Sequence, residues 1–160
     1  MPDAISNTSP LVYLYRIEAL QWLPRLFTSI WGPPQVVQEL DAGRIRGYDV
    51  PNPRSFDWME VVEPKQMPGE WFALDLGLGE VAAMALVLEN PDRIVVLDDL
   101  LARKTAQAAE LNVWGTLRIL LAAKDAGLIP NMDEHVNRLQ SSGMYISDEV
   151  KQRILRLAGE

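Results

Sequence analysis

Residues 80–97 place a helix that is apolar on every face directly before a short β-branched strand. The helix, Glu-Val-Ala-Ala-Met-Ala-Leu-Val-Leu-Glu at 80–89, has no polar face to turn towards water, so it must be buried. The strand, Arg-Ile-Val-Val-Leu at 93–97, is a continuous apolar run, which is typical of a central parallel strand covered on both faces. It ends abruptly in two acids, Asp98 and Asp99. A sheet with helices on both sides is the fold that accommodates this pair of elements.

The rest of the chain continues the alternation of short strands and helices. Predicted strands lie at 3–7, 29–31, 58–62, 93–97 and 112–114, with 58–62 at an edge of the sheet. Predicted helices lie after Ser9, at 18–27, around Val36 to Leu40, and at 80–89, 99–111, 116–126, 133–141 and 148–158. This pattern indicates an α/β fold with a parallel, doubly wound sheet whose ligand binds beyond the carboxyl ends of the strands.

Local signals place several boundaries along this alternation. Ser9 is the expected N-cap of the first helix and Pro10 its first residue. The stretch from Gly43 to about Arg54 is rich in Gly, Pro and Arg and predicts a loop. The 160 residues predict one domain, 1–160, with a core at about 3–129 and a C-terminal helical appendage at about 130–160.

Composition excludes several classes of function. The chain has no cysteine, which excludes a disulfide framework, a thiolate zinc site and a cysteine nucleophile, and fits a reducing cytoplasm. No apolar stretch is long enough to span a bilayer, so we expect a soluble cytoplasmic protein. The net charge of -7 argues against a broad basic surface for nucleic acid, so a local basic rim or a basic partner would be required.

Side chains with a carboxylate or carboxamide oxygen lie at the edges of four apolar segments. They are Asn7 after the first strand, Glu39 on the flank of a helix, Glu80 at the start of the apolar helix, and the Asp98-Asp99 pair. Carboxylates in such positions are costly to bury unless a cation compensates them. Their convergence would create a divalent-metal site made of oxygen ligands.

Five segments of the chain, in this order, resemble the PIN domain, a family of metal-dependent ribonucleases. They are Ile-Ser-Asn-Thr-Ser-Pro-Leu at 5–11, Pro-Gln-Val-Val-Gln-Glu-Leu at 34–40, Leu-Gly-Leu-Gly-Glu-Val-Ala-Ala-Met-Ala at 76–85, Val-Leu-Asp-Asp-Leu-Leu-Ala-Arg at 96–103 and Gly-Thr-Leu-Arg-Ile-Leu at 115–120. The resemblance is greatest to a toxin-like bacterial branch. It implies a three-layer α/β/α fold in which acidic residues bind Mg²⁺ or Mn²⁺ and activate water to cleave RNA.

The resemblance also implies roles for individual residues. Glu39, Glu80 and Asp98 would be the principal carboxylates, and Asp99 a further metal ligand or a residue that positions water. Many PIN nucleases have Asp where this chain has Asn7, whose carbonyl oxygen can still bind a metal but brings no charge. Thr116 lies near the position where many relatives have another acid, and its hydroxyl could orient water or phosphate. RNA as substrate, a small antitoxin partner and a homodimer are implied by the resemblance alone.

Other interpretations of these residues remain open. Because Asn7 replaces the usual acid, the chain could instead be a catalytically weakened PIN-fold binding or regulatory module. Asp98 and Asp99 could be only an N-cap and a first-turn acid of the following helix, and Arg103, four residues after Asp99, could be its ordinary helical ion-pair partner. Alternatively, Arg103, Lys104 and Ser9 could contact the phosphate backbone of a nucleic acid. A receiver-like phosphoacceptor domain is disfavoured, because the acidic pair of such domains follows the first strand.

Overall fold

A computed structural model describes residues 1–160 and contains one sheet of five parallel strands. The strands are β1 (Ala4–Ser6), β2 (Ile30–Gly32), β3 (Met59–Val61), β4 (Ile94–Val96) and β5 (Asn112–Trp114). Their spatial order is β3-β2-β1-β4-β5, so the chain builds the sheet outwards from β1 in one direction and then in the other. The predicted doubly wound parallel sheet is therefore confirmed, and its topological switch point lies between β1 and β4.

Eight α-helices surround the sheet. They are α1 (Thr8–Arg16), α2 (Leu23–Leu26), α3 (Pro34–Ile45), α4 (Leu78–Glu89), α5 (Leu100–Ala108), α6 (Thr116–Asp125), α7 (Asp133–Ser141) and α8 (Asp148–Leu157). Three 3₁₀ turns complete the elements, at Leu20–Trp22, Pro53–Ser55 and Gly69–Ala73. None of these helices is long and apolar enough to pass through a lipid bilayer.

The core consists of two hydrophobic clusters, one on each face of the sheet. Val95 of β4 and Ile5 of β1 point into the cluster formed with α4 and α5. Val96 and Ala4, their neighbours along the strands, point into the larger cluster formed with α1, α3, α6 and α7. Both faces of β4 are thus covered, which explains its unbroken apolar sequence and confirms the three-layer α/β/α architecture.

Helix α4 is the most deeply buried helix, as its sequence predicts. Every residue from Val81 to Val87 is at most 1% exposed. Six of these residues, together with Ile5 and Val95, belong to the hydrophobic cluster on one face of the sheet.

Two of the predicted segments differ from the structure. The helix expected at 18–27 is broken, because Glu18 has a left-handed backbone (φ 59°) and only a 3₁₀ turn and the four-residue α2 follow it. The loop expected from Gly43 is still helical at its start, since α3 continues to Ile45. A side-chain carbon at Gly43 would lie 3.2 Å from a methyl group of Val50, so glycine there lets the returning chain pack against the helix.

The first helix begins one residue after Asn7, so the prediction of Ser9 as its N-cap is wrong. Asn7 has an extended backbone (φ -78°, ψ 175°) and occupies the N-cap position, while Ser9 and Pro10 lie inside the first turn. Pro10 fits there because the first four backbone N–H groups of a helix have no partner within the helix. Asn7 lies directly between β1 and α1, at the end of the first strand as predicted.

The C-terminal helices coincide with the predicted segments, and α7 contributes to the main core. Val136 and Leu139 of α7 are fully buried in the larger hydrophobic cluster, together with Met132. Helix α8 packs against the same cluster through partly buried side chains such as Ile154. At the end of the chain, the carboxylate of Glu160 accepts hydrogen bonds from Lys124 and from the backbone N–H of Met132, both at 2.7 Å.

Arg93 clamps the amino edge of the sheet, and its removal should destabilise the fold. Its guanidinium donates hydrogen bonds to the Ala4 carbonyl (3.2 Å) and the Ser29 hydroxyl (3.1 Å), and lies 3.4 Å from the ring centroid of Trp31. We expect Arg93→Ala to lower the free energy of unfolding by about 2 to 3 kcal/mol, measured by urea denaturation. The exposed Arg25→Ala should change it by less than about 0.5 kcal/mol. Equal effects of the two substitutions would contradict the assigned clamp.

Candidate active site at the carboxyl edge of the sheet

The carboxyl ends of the strands bring the candidate residues to one edge of the sheet. Asn7 follows β1, the Asp98-Asp99 pair follows β4 after one further residue, and Thr116 opens α6 after β5. Glu39 lies on α3 and Glu80 in the first turn of α4. Because all the strands are parallel, their carboxyl ends share this edge, where ligands bind in open α/β sheets.

Glu39 connects three helices through its carboxylate. The hydroxyl of Thr8 on α1 donates to Oε1 at 2.6 Å, and the backbone N–H of Gly79 on α4 donates to Oε2 at 3.1 Å. A side-chain carbon at Gly79 would collide with this carboxylate, so only glycine allows the close approach. Glu39 is exposed but held at a fixed place, which differs from a freely solvated helix residue.

Because Glu39 contacts Gly79, we expect Gly79→Ala to destabilise the wild-type protein but to stabilise a variant that lacks the Glu39 carboxylate. In the wild-type chain, we expect Gly79→Ala to lower the free energy of unfolding by about 1 to 2 kcal/mol, because the methyl group displaces a hydrogen-bonded carboxylate. In a Glu39→Ala background, the same change should raise it by about 0.5 to 1 kcal/mol, because alanine is the better helix former. Urea denaturation of the four proteins of this cycle measures both values. The same sign in both backgrounds would contradict the contact.

Glu80 is half-buried among other acids. Its Oε1 accepts a hydrogen bond from the backbone N–H of Gly77 at 2.8 Å, so the Glu80 side chain reaches back to the N-cap residue of α4. Burial raises the pKa of Glu80, the Gly77 hydrogen bond opposes this effect, and the charges of Asp99, Glu39 and Asp75 raise the pKa further. The negative charges of these three neighbouring acids thus add to the effect of burial on Glu80.

Asp98 is held by Thr116 through both carboxylate oxygens. The backbone N–H of Thr116 donates to Oδ1 at 2.8 Å and its hydroxyl donates to Oδ2 at 2.7 Å. Burial raises the pKa of Asp98, while these two hydrogen bonds and the charge of Arg103 act in the opposite direction. Arg103 reaches this point because Gly115 has no side chain: a Cβ there would lie 3.3 Å from the Arg103 Nη1 and 3.4 Å from the Asp98 Oδ1.

Asp99 has a capping role that its neighbour lacks. It is the N-cap of α5, and its Oδ2 accepts from the backbone N–H of Ala102 at 3.0 Å. The predicted alternative of an ion pair between Asp99 and Arg103 is wrong, because no such pair forms within 4.0 Å. The ion pairs of the structure lie elsewhere, at Arg44–Asp41, Arg54–Asp41, Lys124–Glu160 and Arg138–Glu18. Glu39, Glu80, Asp98 and Asp99 therefore have no ion-pair partner.

Asn7 is the one buried amide of this edge, with 3% of its surface exposed. Its backbone N–H donates to the carbonyl of Val96 at 3.1 Å, which fixes it beside β4. Its side-chain Oδ1 is buried without any hydrogen-bond partner. An orphaned buried oxygen costs about 1 to 3 kcal/mol, so the Asn7 oxygen is a free acceptor for a hydrogen-bond donor or a cation.

Comparison with known families agrees with this arrangement. A family model described as a PIN domain matches residues 3–160, nearly the whole chain. The chain belongs to the PIN-domain family. A search of curated proteins and a search of solved structures gave no match. PIN domains generally act as nucleases and typically use divalent metal ions, so a nuclease-type function of the hydrolase class follows for this chain at that general level.

The acids of this PIN domain do not form a ready-made metal centre. No group of three or more acidic or histidine side chains lies close enough to hold one ion. Two smaller groups are present instead: Glu39 with Gly79 and Glu80, and Asp98 with Thr116. The donor chemistry nevertheless fits a hard cation, because every donor is an oxygen, the Asn7 oxygen has no partner, and Glu80 lies near the charges of Asp99 and Glu39.

The three residues predicted to contact nucleic acid differ in their burial and in their neighbours. Arg103 is half-buried and faces Asp98, Lys104 is exposed and makes no ion pair, and Ser9 is half-buried in the first turn of α1. The sequence did not indicate that Thr8 binds Glu39, since 31 residues separate them. The sequence did contain a signal for the contact between Gly79 and Glu39. Gly77 and Gly79 precede Glu80, and glycines at such positions allow another group to approach the backbone closely.

Proposed function

We propose that this PIN domain is a metal-dependent endoribonuclease that hydrolyses a phosphodiester bond of RNA. The observation that carries the proposal is the set of acids at the carboxyl edge of the sheet, none of which forms an ion pair within 4.0 Å. Glu39, Glu80, Asp98 and Asp99 come from three different parts of the chain, and none forms an ion pair. Acids without counter-ions at a ligand-binding edge are more readily explained by a site than by fold stability.

The residues of this edge have distinct roles in the proposed site. Glu39, Glu80, Asp98, Asp99 and the Asn7 oxygen would hold Mg²⁺ or Mn²⁺. When bound, such an ion supplies an acidified water and stabilises negative charge on a phosphate. Thr116 orients the carboxylate of Asp98 through two hydrogen bonds, and Thr8 with Gly79 orients that of Glu39.

The resemblance to toxin-like PIN proteins supports a more specific biological role. We propose that the chain is the toxin component of a toxin–antitoxin pair, restrained by a small antitoxin protein, and that it acts in the cytoplasm as a homodimer. Absence of cysteine fits that compartment.

Removal of one charge at Glu80 tests the nuclease proposal. Glu80→Gln retains an oxygen for the Gly77 hydrogen bond, so the start of α4 and the fold should be preserved. We expect the wild-type chain to cleave a labelled single-stranded RNA with Mn²⁺, to lose this activity in excess chelator, and to lose at least about 10-fold with Glu80→Gln. The exposed Glu63→Gln is the matched control and should retain full activity. Cleavage that is insensitive to chelator and to Glu80→Gln would refute the proposal.

A second candidate is a PIN-fold binding or regulatory module whose catalysis is weakened. Two observations favour it: Asn7 provides no charge where many relatives have Asp, and no three acids share one metal position. Calorimetric titration with Mn²⁺ separates the two candidates. Binding in the micromolar to millimolar range supports the nuclease, whereas no heat of binding at millimolar metal supports the binding module.

A further inference from the structure

A cleft of about 310 Å³ opens directly beside Asp98. One wall is formed by α5 and α6, and the other by the segment before α8 and by α8 itself. Leu117, Met144 and Ile154 form an apolar floor, and three arginines line the cleft: Arg103 on α5, Arg118 on α6 and Arg153 on α8. The proposed nuclease mechanism assigns no role to this cleft beyond Asp98 and Thr116, which orients it.

The three arginines are an unusual concentration of positive charge in this protein. The chain carries a net charge of -7, yet the guanidinium groups of these three arginines make no ion pair within 4.0 Å and donate no hydrogen bond to another residue. The Arg118 guanidinium lies over the Trp114 ring at 4.6 Å, a stacking that leaves its N–H groups free at the edge of the cleft. Free guanidinium donors arranged in this way match the oxygens of phosphate groups.

Apolar and aromatic surfaces accompany the arginines. Tyr145, between α7 and α8, is 88% exposed and lines the same cleft. An exposed aromatic ring beside an apolar floor offers a stacking surface to a nucleobase, and unpaired bases bind to proteins mainly by such stacking.

We propose that this cleft binds a nucleotide of a single-stranded RNA next to the bond that is cut. The arginines bind the phosphate oxygens, and the base lies on the apolar floor against Tyr145. The proposal rests on the proposed nuclease function, because Asp98 belongs to both the cleft and the acidic edge. This continuity favours RNA over an acidic peptide, and an unpaired strand over a duplex, whose bases are not available to enter a pocket.

RNA binding without cleavage tests the arginines of the cleft. We measure the fluorescence anisotropy of a labelled single-stranded RNA oligonucleotide in excess chelator. Arg153→Ala should weaken binding about 5- to 10-fold and reduce the slope of log affinity against log salt by about 0.7. Arg156→Ala is the matched control, because it removes the same charge from the same helix outside the cleft. Equal effects of the two substitutions would overturn the proposal.

Substitutions of Tyr145 and an RNA without bases test whether the cleft binds a nucleobase. Tyr145→Ala should weaken RNA binding about 5-fold or more, whereas Tyr145→Phe retains the stacking surface and should bind like the wild type. An abasic oligonucleotide of the same length should bind more weakly than RNA. Equal binding of the abasic strand would overturn the proposal, as would an oligoglutamate peptide that binds more tightly than RNA through Arg153.

The two proposals fail in different ways. If RNA is cleaved but the substitutions of Arg153 and Tyr145 leave its binding affinity unchanged, the nuclease function stands and the cleft proposal fails. If RNA binds through Arg153 and Tyr145 but is never cleaved with Mn²⁺, the cleft stands and the chain is a binding module. Binding is measured in chelator, so this readout is independent of any metal.

Discussion

Asp98→Asn is expected to abolish RNA cleavage and, at the same time, to make the folded protein more stable at neutral pH. The loss of cleavage follows from removing a charged oxygen donor, and we expect it to exceed about 100-fold, since even residues that only orient metal ligands contribute 10- to 100-fold. The shape of the side chain is unchanged. The Asn carbonyl can accept from the Thr116 N–H, and its amide can donate to the Thr116 hydroxyl, so both present hydrogen bonds have a replacement.

The gain in stability follows from the direction of the Asp98 pKa shift. Burial raises the pKa of Asp98 above its ordinary value of 3.8, so folding favours the protonated carboxyl. The resulting stabilisation is fully present below pH 3.8 and is lost as pH rises through the higher pKa of the folded state. At neutral pH, the wild-type protein therefore holds a charge that folding disfavours, and Asn removes that charge.

Urea denaturation from mildly acidic to neutral pH measures this effect. The wild-type free energy of unfolding should decrease relative to that of Asp98→Asn as pH rises through this window. Asp92→Asn, at an exposed position without hydrogen-bond partners, is the matched control and should follow the wild type. Parallel pH profiles for the wild type and Asp98→Asn would contradict the assignment, and so would retained cleavage by Asp98→Asn.

The layers of the fold could be predicted because its central elements have unambiguous periodicity. Helix α4 has no polar face and β4 has no polar residue between Ile94 and Leu97, so both had to be buried. The segment at 18–27 was misjudged because its apolar spacing suits a helix, whereas the left-handed Glu18 interrupts the backbone. A single left-handed residue leaves no trace in hydrophobic periodicity.

The candidate site was predictable in its location but not in its contacts. Parallel strands carry their carboxyl ends to one edge, which placed Asn7 and Asp98 together in advance. The contact between Thr8 and Glu39, and that between Thr116 and Asp98, depend on how helices pack over the sheet, and no local pattern encodes such packing. The cleft lined by Arg153 was missed for the same reason, since α8 follows the acidic pair by about fifty residues.

Asn7→Asp is expected to make the stability of the protein strongly dependent on a divalent metal. Asn7 is buried, and its Oδ1 has no partner, so an Asp of the same shape adds an uncompensated charge beside the acidic edge. In chelator, we expect the substitution to lower the free energy of unfolding by about 3 kcal/mol or more. Mn²⁺ at about 100 times its dissociation constant should restore about 2.7 kcal/mol, because metal binds the folded state alone.

Thermal unfolding with Mn²⁺ and with chelator measures the difference, and Asn131→Asp, at an exposed position, is the control for added charge. A metal-dependent rise in melting temperature that is larger for Asn7→Asp than for the wild type locates the ion beside residue 7. If RNA cleavage rises as well, the missing charge at Asn7 limits catalysis in the natural chain. If Asn7→Asp and Asn131→Asp respond equally to Mn²⁺, the orphaned oxygen of Asn7 is not a metal ligand, and the binding module becomes the better description of this PIN domain.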